Sequence, residues 1–176
     1  MRKQPDFHRL FHDYIGEVPR KVTYEVRQGP NQSHDLVLLG ALIHDARFSP
    51  EDVRLRRNRL EIRIERDCWE FGLTARSECF VAAALLTIHP AIDIDWRFEH
   101  TIAFSPEARL EIQDVWFGDP RDGSQVIIDG VGFMWRCIVT VRERALAIRL
   151  KDLEVPRLWS DRERAKQSRP RIKRNR

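Results

Sequence analysis

Apolar and polar residues alternate with a period of two over much of this chain, and one stretch breaks the rule. Leu60, Ile62 and Ile64 alternate with Glu61, Arg63 and Glu65. Ile92, Ile94, Trp96 and Phe98 alternate with Asp93, Asp95, Arg97 and Glu99, and Phe133, Trp135, Cys137, Val139 and Val141 repeat the pattern, continued by Leu146, Ile148 and Leu150. A period of two is that of a strand with one face in a core. The exception is Leu36-Val37-Leu38-Leu39-Gly40-Ala41-Leu42-Ile43, eight apolar residues in a row. This run is rich in Leu and Ala and poor in β-branched and aromatic residues, which favours a helix over a strand. Asn31 or Ser33 is placed to cap it, Asp35 falls in the first turn and Arg47 near the last, charges that suit the helix dipole. Gly40 in mid-helix costs about 1 kcal/mol relative to Ala, which suggests that another backbone approaches closely there.

The remaining signals place short elements between turns. Residues 22–26, 53–56, 59–66, 110–117 and 125–129 read as strands. The turns are Arg57-Asn58, the Asp- and Gly-containing run 118–123, and Asp129-Gly130. Residues 76–88 are apolar through their middle, as expected of a central strand covered on both faces, and Pro90 ends it. Ser49-Pro50-Glu51-Asp52 suits one helical turn. The same Phe-Ser-Pro-Glu stands at 48–51 and 104–107, a match short enough to arise by chance. Phe7, Leu10, Phe11 and Tyr14 mark one face of a short N-terminal helix, and Ser160-Asp161-Arg162-Glu163 has the form of a capping box opening a short C-terminal one. The expected fold class is α+β. A predominantly antiparallel sheet of roughly eight strands, rolled or partly closed, packs on one buried helix near residues 33–46.

Composition changes this picture in one respect. The chain has 176 residues and a formal charge of +4, but residues 157–176 hold nine Lys/Arg against two Asp/Glu, so residues 1–156 carry −3. Residues 1–156 therefore read as a single globular domain and 157–176 as a basic tail, a short helix followed by an extended segment with little to bury. The three cysteines, Cys68, Cys79 and Cys137, are odd in number and far apart, which points to buried thiols in a reducing compartment. No apolar run approaches the ~20 residues of a membrane span, and no apolar core follows the N-terminus, so a cytoplasmic protein is expected, with no membrane partner.

Candidate chemistry is sparse. His89, Asp93, Asp95 and Glu99 sit on or beside one face of a strand, where carboxylates two residues apart lie about 7 Å from each other and two of them can share a metal ion. Arg97 between the acids points instead to a solvated strand face. His8 and His12 lie four apart on the N-terminal helix, without the Glu of a zinc-protease motif. The doublets His34-Asp35 and His44-Asp45 resemble those of metal-dependent phosphohydrolases, but they fall at opposite ends of one helix. No nucleophile elbow, phosphate loop or dinucleotide fingerprint occurs, so an enzyme is not expected, nor any cofactor. The tail residues Arg169, Arg171, Lys173, Arg174 and Arg176 form a compact positive segment able to displace counterions from phosphates, and the outward Arg54, Arg56, Arg59 and Arg63 extend it unless Glu61 and Glu65 neutralise them.

The expected function is a non-catalytic binding or regulatory module. It contacts a protein partner through a sheet face or edge and the basic tail. The alternative is a nucleic-acid-associated protein whose tail binds phosphates, with a metal-dependent hydrolase a distant third. The sequence does not fix the oligomeric state.

Overall fold

A computed structural model describes residues 19–71, 79–98, 109–119, 124–131, 134–142 and 145–159. Among these residues eleven strands form one open, antiparallel sheet with a single α-helix. The strands are β1 (Thr23–Arg27), β2 (Arg47–Phe48), β3 (Val53–Arg56), β4 (Arg59–Asp67), β5 (Phe80–His89), β6 (Ala91–Phe98), β7 (Leu110–Phe117), β8 (Gln125–Gly130), β9 (Trp135–Val141), β10 (Ala147–Asp152) and β11 (Arg157–Leu158). The helix α1 spans Gln32–Ile43. The α+β class and the antiparallel sheet agree with the sequence reading, whereas eight strands is an undercount. Two of the strands, β2 and β11, have two residues each, too few to show a period. The two terminal helices, His8 and His12, and the second Phe-Ser-Pro-Glu lie outside the described residues.

The strand order is β1-β10-β5-β4-β2-β7-β8-β9-β6, with β3 paired to β4 and β11 to β5. Only Pro90 separates β5 from β6. Since β5 pairs with β10 and β6 with β9, β5 and β6 on one side and β10 and β9 on the other make one long ribbon that bends where Pro90 interrupts the ladder. The sheet's two halves meet again through β2, where Arg47 is in register with both Glu65 of β4 and Glu111 of β7. Bent at one place and tied at another, the sheet folds over, and one cluster combines Leu60, Ile62 and Leu86 from one half with Val126, Ile128 and Val139 from the other.

The helix lies against β7, β1 and β4. Leu36, Leu38, Leu39, Leu42 and Ile43 are buried, and Val37 faces solvent at 65% exposure. Gly40 does sit against β7, but side chains rather than backbone make the close contact. A Cβ there would stand 3.2 Å from Asp114 Oδ1 and 3.5 Å from Val115 Cγ1 of β7. The helix ends are not as expected. Asn31 caps without a side-chain hydrogen bond, and the last turn holds no base, because α1 ends at Ile43 and Arg47 is already in β2. The Ser49–Asp52 turn does form a capping box, and Arg57 and Asn58 both take the left-handed conformation, φ 46° and 64°, which lets a two-residue turn match the twist of β3 and β4. The expectation that both faces of β5 are covered is not met. Ala82, Ala84, Leu86 and Ile88 are buried, while Ala83, Leu85 and Thr87 on the other face are half-exposed.

The largest departure from an apolar core is Arg66. It continues the inward register of Leu60, Ile62 and Ile64 and is 0% exposed. All five of its N–H donors find acceptors. Nε donates to Asp152 Oδ1 at 2.9 Å and Nη2 to Asp152 Oδ2 at 2.9 Å. Nη2 also donates to Glu70 Oε1 at 2.6 Å, and Nη1 to Glu70 Oε2 at 3.1 Å and to the Leu42 carbonyl at 3.4 Å. Asp152 accepts in addition from the Val22 backbone N–H at 2.8 Å. Arg66 is in register with Ala82 and Asp152 with Ala84, so β5 offers alanines where the two long polar groups need room. Burial alone lowers the pKa of the guanidinium, but the charge of Glu70 and the hydrogen bond with Asp152 outweigh it and raise the pKa.

Removing one member of such a cluster leaves a buried charge without its counter-charge. Arg66→Ala is expected to cost about 3–5 kcal/mol in urea unfolding. Replacing all three members with apolar residues (Arg66→Met, Glu70→Leu, Asp152→Leu) is expected to recover most of the loss. A cost below about 1 kcal/mol for Arg66→Ala would show that water, not Glu70 and Asp152, satisfies the guanidinium.

Candidate functional site

Three surfaces of the described residues bear on function. The first is the outer face of β1, β10, β5, β4 and β3. Because side chains alternate, every inward Leu or Ile of β4 leaves an outward charge, and the hairpin projects Arg54, Arg56, Arg57, Arg59 and Arg63 into solvent. Together with Arg27, Arg149 and Lys151, this face and its turn carry eight Lys/Arg against three Glu. The glutamates neutralise the hairpin only in part. Glu25 pairs with Arg27 at 2.9 Å, Glu61 with Arg59 at 3.7 Å and Glu65 with Arg109 of β7's flank at 3.3 Å. Arg54, although in register with Glu61, is left with no carboxylate within 4 Å among the described residues, as are Arg56, Arg57 and Arg63. Among the described residues no exposed aromatic side chain lies on this face; Trp159, which packs on Val81 at its end, is buried.

The second surface is an apolar slot of about 450 Å³ between β3 and β6, lined by Val53, Leu55, Ile94, Trp96, Phe98 and Pro50. Among the described residues each of these strands is paired on one side only, β3 with β4 and β6 with β9. Behind the slot Trp96 stacks on Phe98 at 6.3 Å and meets Phe48 and Trp135 at 6.3 and 5.9 Å. Ile92, expected to face inward with them, is 49% exposed because the ladder slips by one residue between Ala91 and Asp93. The third surface, on the outside of β6 to β9, contains the buried Asp129 with Arg136 and Trp116.

The residues singled out as metal candidates stay apart. His89 ends β5, Asp93 and Asp95 are exposed on β6, Asp95 is held by Arg97 at 2.9 Å, and Glu99 lies outside the described residues. No three His, Cys, Asp or Glu side chains converge on a metal position among the described residues. His44 contacts only its neighbour Asp45, at 3.1 Å. The tail residues Arg169, Arg171, Lys173, Arg174 and Arg176 lie outside the described residues. The chain leading to them is anchored, since Trp159 is buried with Cys79 and Val81, under the guanidinium of Arg47 at 4.9 Å. No helix of the described residues is long and apolar enough to cross a membrane.

Sequence reasoning missed Arg66, Asp152 and Asp129. The signal was available for the first two: counting in twos from Ile64 reaches Arg66, and from Leu150 reaches Asp152.

Cys68, Cys79 and Cys137 are free and buried. Burial pushes the Cys137 thiol up to about 12, helped by the charge of Asp95. Burial likewise raises Cys68, with Arg66 opposing and Glu70 and Asp152 adding to it. Tyr24 is raised by burial, then by Asp35, to which its hydroxyl donates at 3.3 Å.

Comparison with protein-family models, with curated proteins and with solved structures finds no match.

These groups stay neutral in the fold but ionise when it opens, so their contribution to stability is complete below the free-thiol value and is lost as pH rises. Stability in urea is expected to fall from about pH 9 toward 12, and Cys137→Ala to flatten that fall. Ellman's reagent at pH 8 is expected to label the thiols only after denaturation. Rapid labelling of the native protein would mean that the thiols are accessible.

Proposed function

We propose that this protein is a non-catalytic binding module whose working surface is the arginine face built on the β3–β4 hairpin, and that its partner is an anionic polymer, nucleic acid foremost. One observation carries the reading. Four arginines, Arg54, Arg56, Arg57 and Arg63, stand exposed within ten residues with no carboxylate within 4 Å among the described residues. Exposed arginines without counter-charges repel one another, and a phosphate backbone relieves that repulsion with bidentate hydrogen bonds. Among the described residues the face exposes no aromatic side chain for base stacking, so its contacts are to phosphates and carry little sequence information. The tail, +7 over residues 157–176, adds to the same electrostatic attraction.

A second reading, a protein partner bound at a sheet edge, is favoured by the slot between β3 and β6. Two strands with free edges flank apolar side chains there, a setting suited to an extended segment with apolar residues at alternate positions.

A salt titration of binding to a generic DNA duplex tests the first reading and separates it from the second. For the full chain, affinity is expected to fall steeply with salt. Arg54, Arg56, Arg57 and Arg63 changed together to Gln are expected to reduce the log–log slope by about three to four. Shortening after Trp159 is expected to weaken binding further while keeping β11 and the buried Trp159. If the quadruple variant keeps the wild-type slope, the hairpin face is not the contact. If no duplex binding occurs at low salt, the nucleic-acid reading falls.

A further inference from the structure

The outward side of β6, β9, β8 and β7 contains a cavity of about 530 Å³, the size of a small-molecule site. Its floor is the cross-strand pair Ile127 and Ile138, and Arg97, Arg136, Trp116, Asp119 and Gln125 complete its lining. Both belong to the side of the sheet opposite the core residues Val126, Ile128, Cys137 and Val139. Even so, they are only 6% and 7% exposed, because taller neighbours stand around them. Trp116, in register with Ile127, forms one wall.

The polar end of the cavity is tightly held. Asp129, 2% exposed, accepts from Trp116 Nε1 at 2.8 Å, from Arg136 Nε at 2.6 Å and from Arg136 Nη2 at 3.1 Å. One buried carboxylate thus locks the indole and the guanidinium together, with Arg136 Cζ 5.4 Å from the indole centroid. Directly across the ladder from Arg136 stands Arg97. Like charges opposite each other in a sheet are unfavourable, and a pair at the mouth of a cavity has a use if an anion sits between them. Arg97 spends only its Nε–H on Asp95, at 2.9 Å; its two terminal nitrogens have no acceptor among the described residues. Arg136 is pre-positioned and Arg97 is within reach, an arrangement that binds an oxyanion without first having to order both side chains.

We propose that this cavity binds a small amphipathic anion, a flat apolar body resting on Ile127 and Ile138 beside Trp116 with its carboxylate, sulfonate or phosphate head between Arg97 and Arg136. Asp95 and Asp129 offset the charge of the two arginines, so the selectivity comes from their N–H donors aimed at the head, and the apolar floor selects against a bare inorganic anion. This site lies on the opposite half of the sheet from the β3–β4 hairpin and does not depend on the function proposed for that face.

The test titrates naphthalene-2-carboxylate, its neutral carboxamide and sulfate separately into the full chain. The readout is the indole N–H resonance of Trp116, assigned by its loss in Trp116→Phe. The carboxylate is expected to shift that resonance to saturation and to bind about tenfold more tightly than the carboxamide, the scale of a hydrogen-bonded charge pair. Sulfate is expected to bind far more weakly than the carboxylate. Arg97→Gln, a change at an exposed position that leaves the Asp129 contacts intact, is expected to abolish the tenfold preference without altering carboxamide binding. The proposal is overturned by an unmoved Trp116 resonance, by sulfate binding as tightly as the aryl carboxylate, or by an Arg97→Gln variant that keeps the preference.

Discussion

A single guanidinium holds the parts of this fold in register. Arg66 lies at the end of β4, and its five hydrogen bonds reach Glu70 in the 3₁₀ turn that follows, Asp152 at the end of β10 and the carbonyl of Leu42 in the last turn of α1. Asp152 passes the connection on to β1 through the backbone N–H of Val22. A helix end and three strands therefore converge on one buried cation. The helix needs this, because the last carbonyls of any helix lack partners within it and α1 has no base in its last turn. The geometry is demanding. A slip of one residue in β4 would turn Arg66 outward and Ile64 with it, exposing apolar surface and stranding two buried carboxylates.

The same alternation that puts Arg66 inside puts the other arginines of the hairpin outside. Where acids are within reach the charges pair, as in Arg59 with Glu61 and Arg47 with Asp67 at 3.2 Å. Where they are not, the arginines collect on one face. The other half of the sheet uses charge differently. There Asp129 is buried to fix Arg136 and Trp116, and the surface around it is concave. The two halves thus present two chemistries, a basic face on one and, on the other, a walled cavity with two arginines at its rim.

Much of this architecture can be read from the chain. The run Leu36–Ile43 announces a helix by composition, Gly40 marks where that helix sits tightly on β7, and Leu60-Ile62-Ile64 gives the inward face of β4. What escapes is set by tertiary contact. The two-residue strands β2 and β11 exist because partners lie beside them, and the exposure of Ile92 follows from a slip in pairing that leaves no mark on the sequence. Arg66 and Asp152 escape for another reason, since a charged residue at the end of an alternating run is ordinarily where a strand leaves the core. Only the meeting of two such runs across the alanines of β5 reveals that both continue inward. The charged surface is less legible still. Spacing suggests that Glu61 and Glu65 cancel the hairpin arginines, whereas Glu65 is drawn to Arg109, 44 positions away.

The most direct test of the buried clamp is an NMR measurement on the arginine side chains. If Arg66 is sealed between Glu70 and Asp152, its Nε–H and its individual Nη–H protons give separate resonances, shifted downfield and exchanging with water orders of magnitude more slowly than those of exposed Arg56. A side chain of Arg66 that exchanges as fast as Arg56, with its Nη protons averaged by free rotation, would contradict the account.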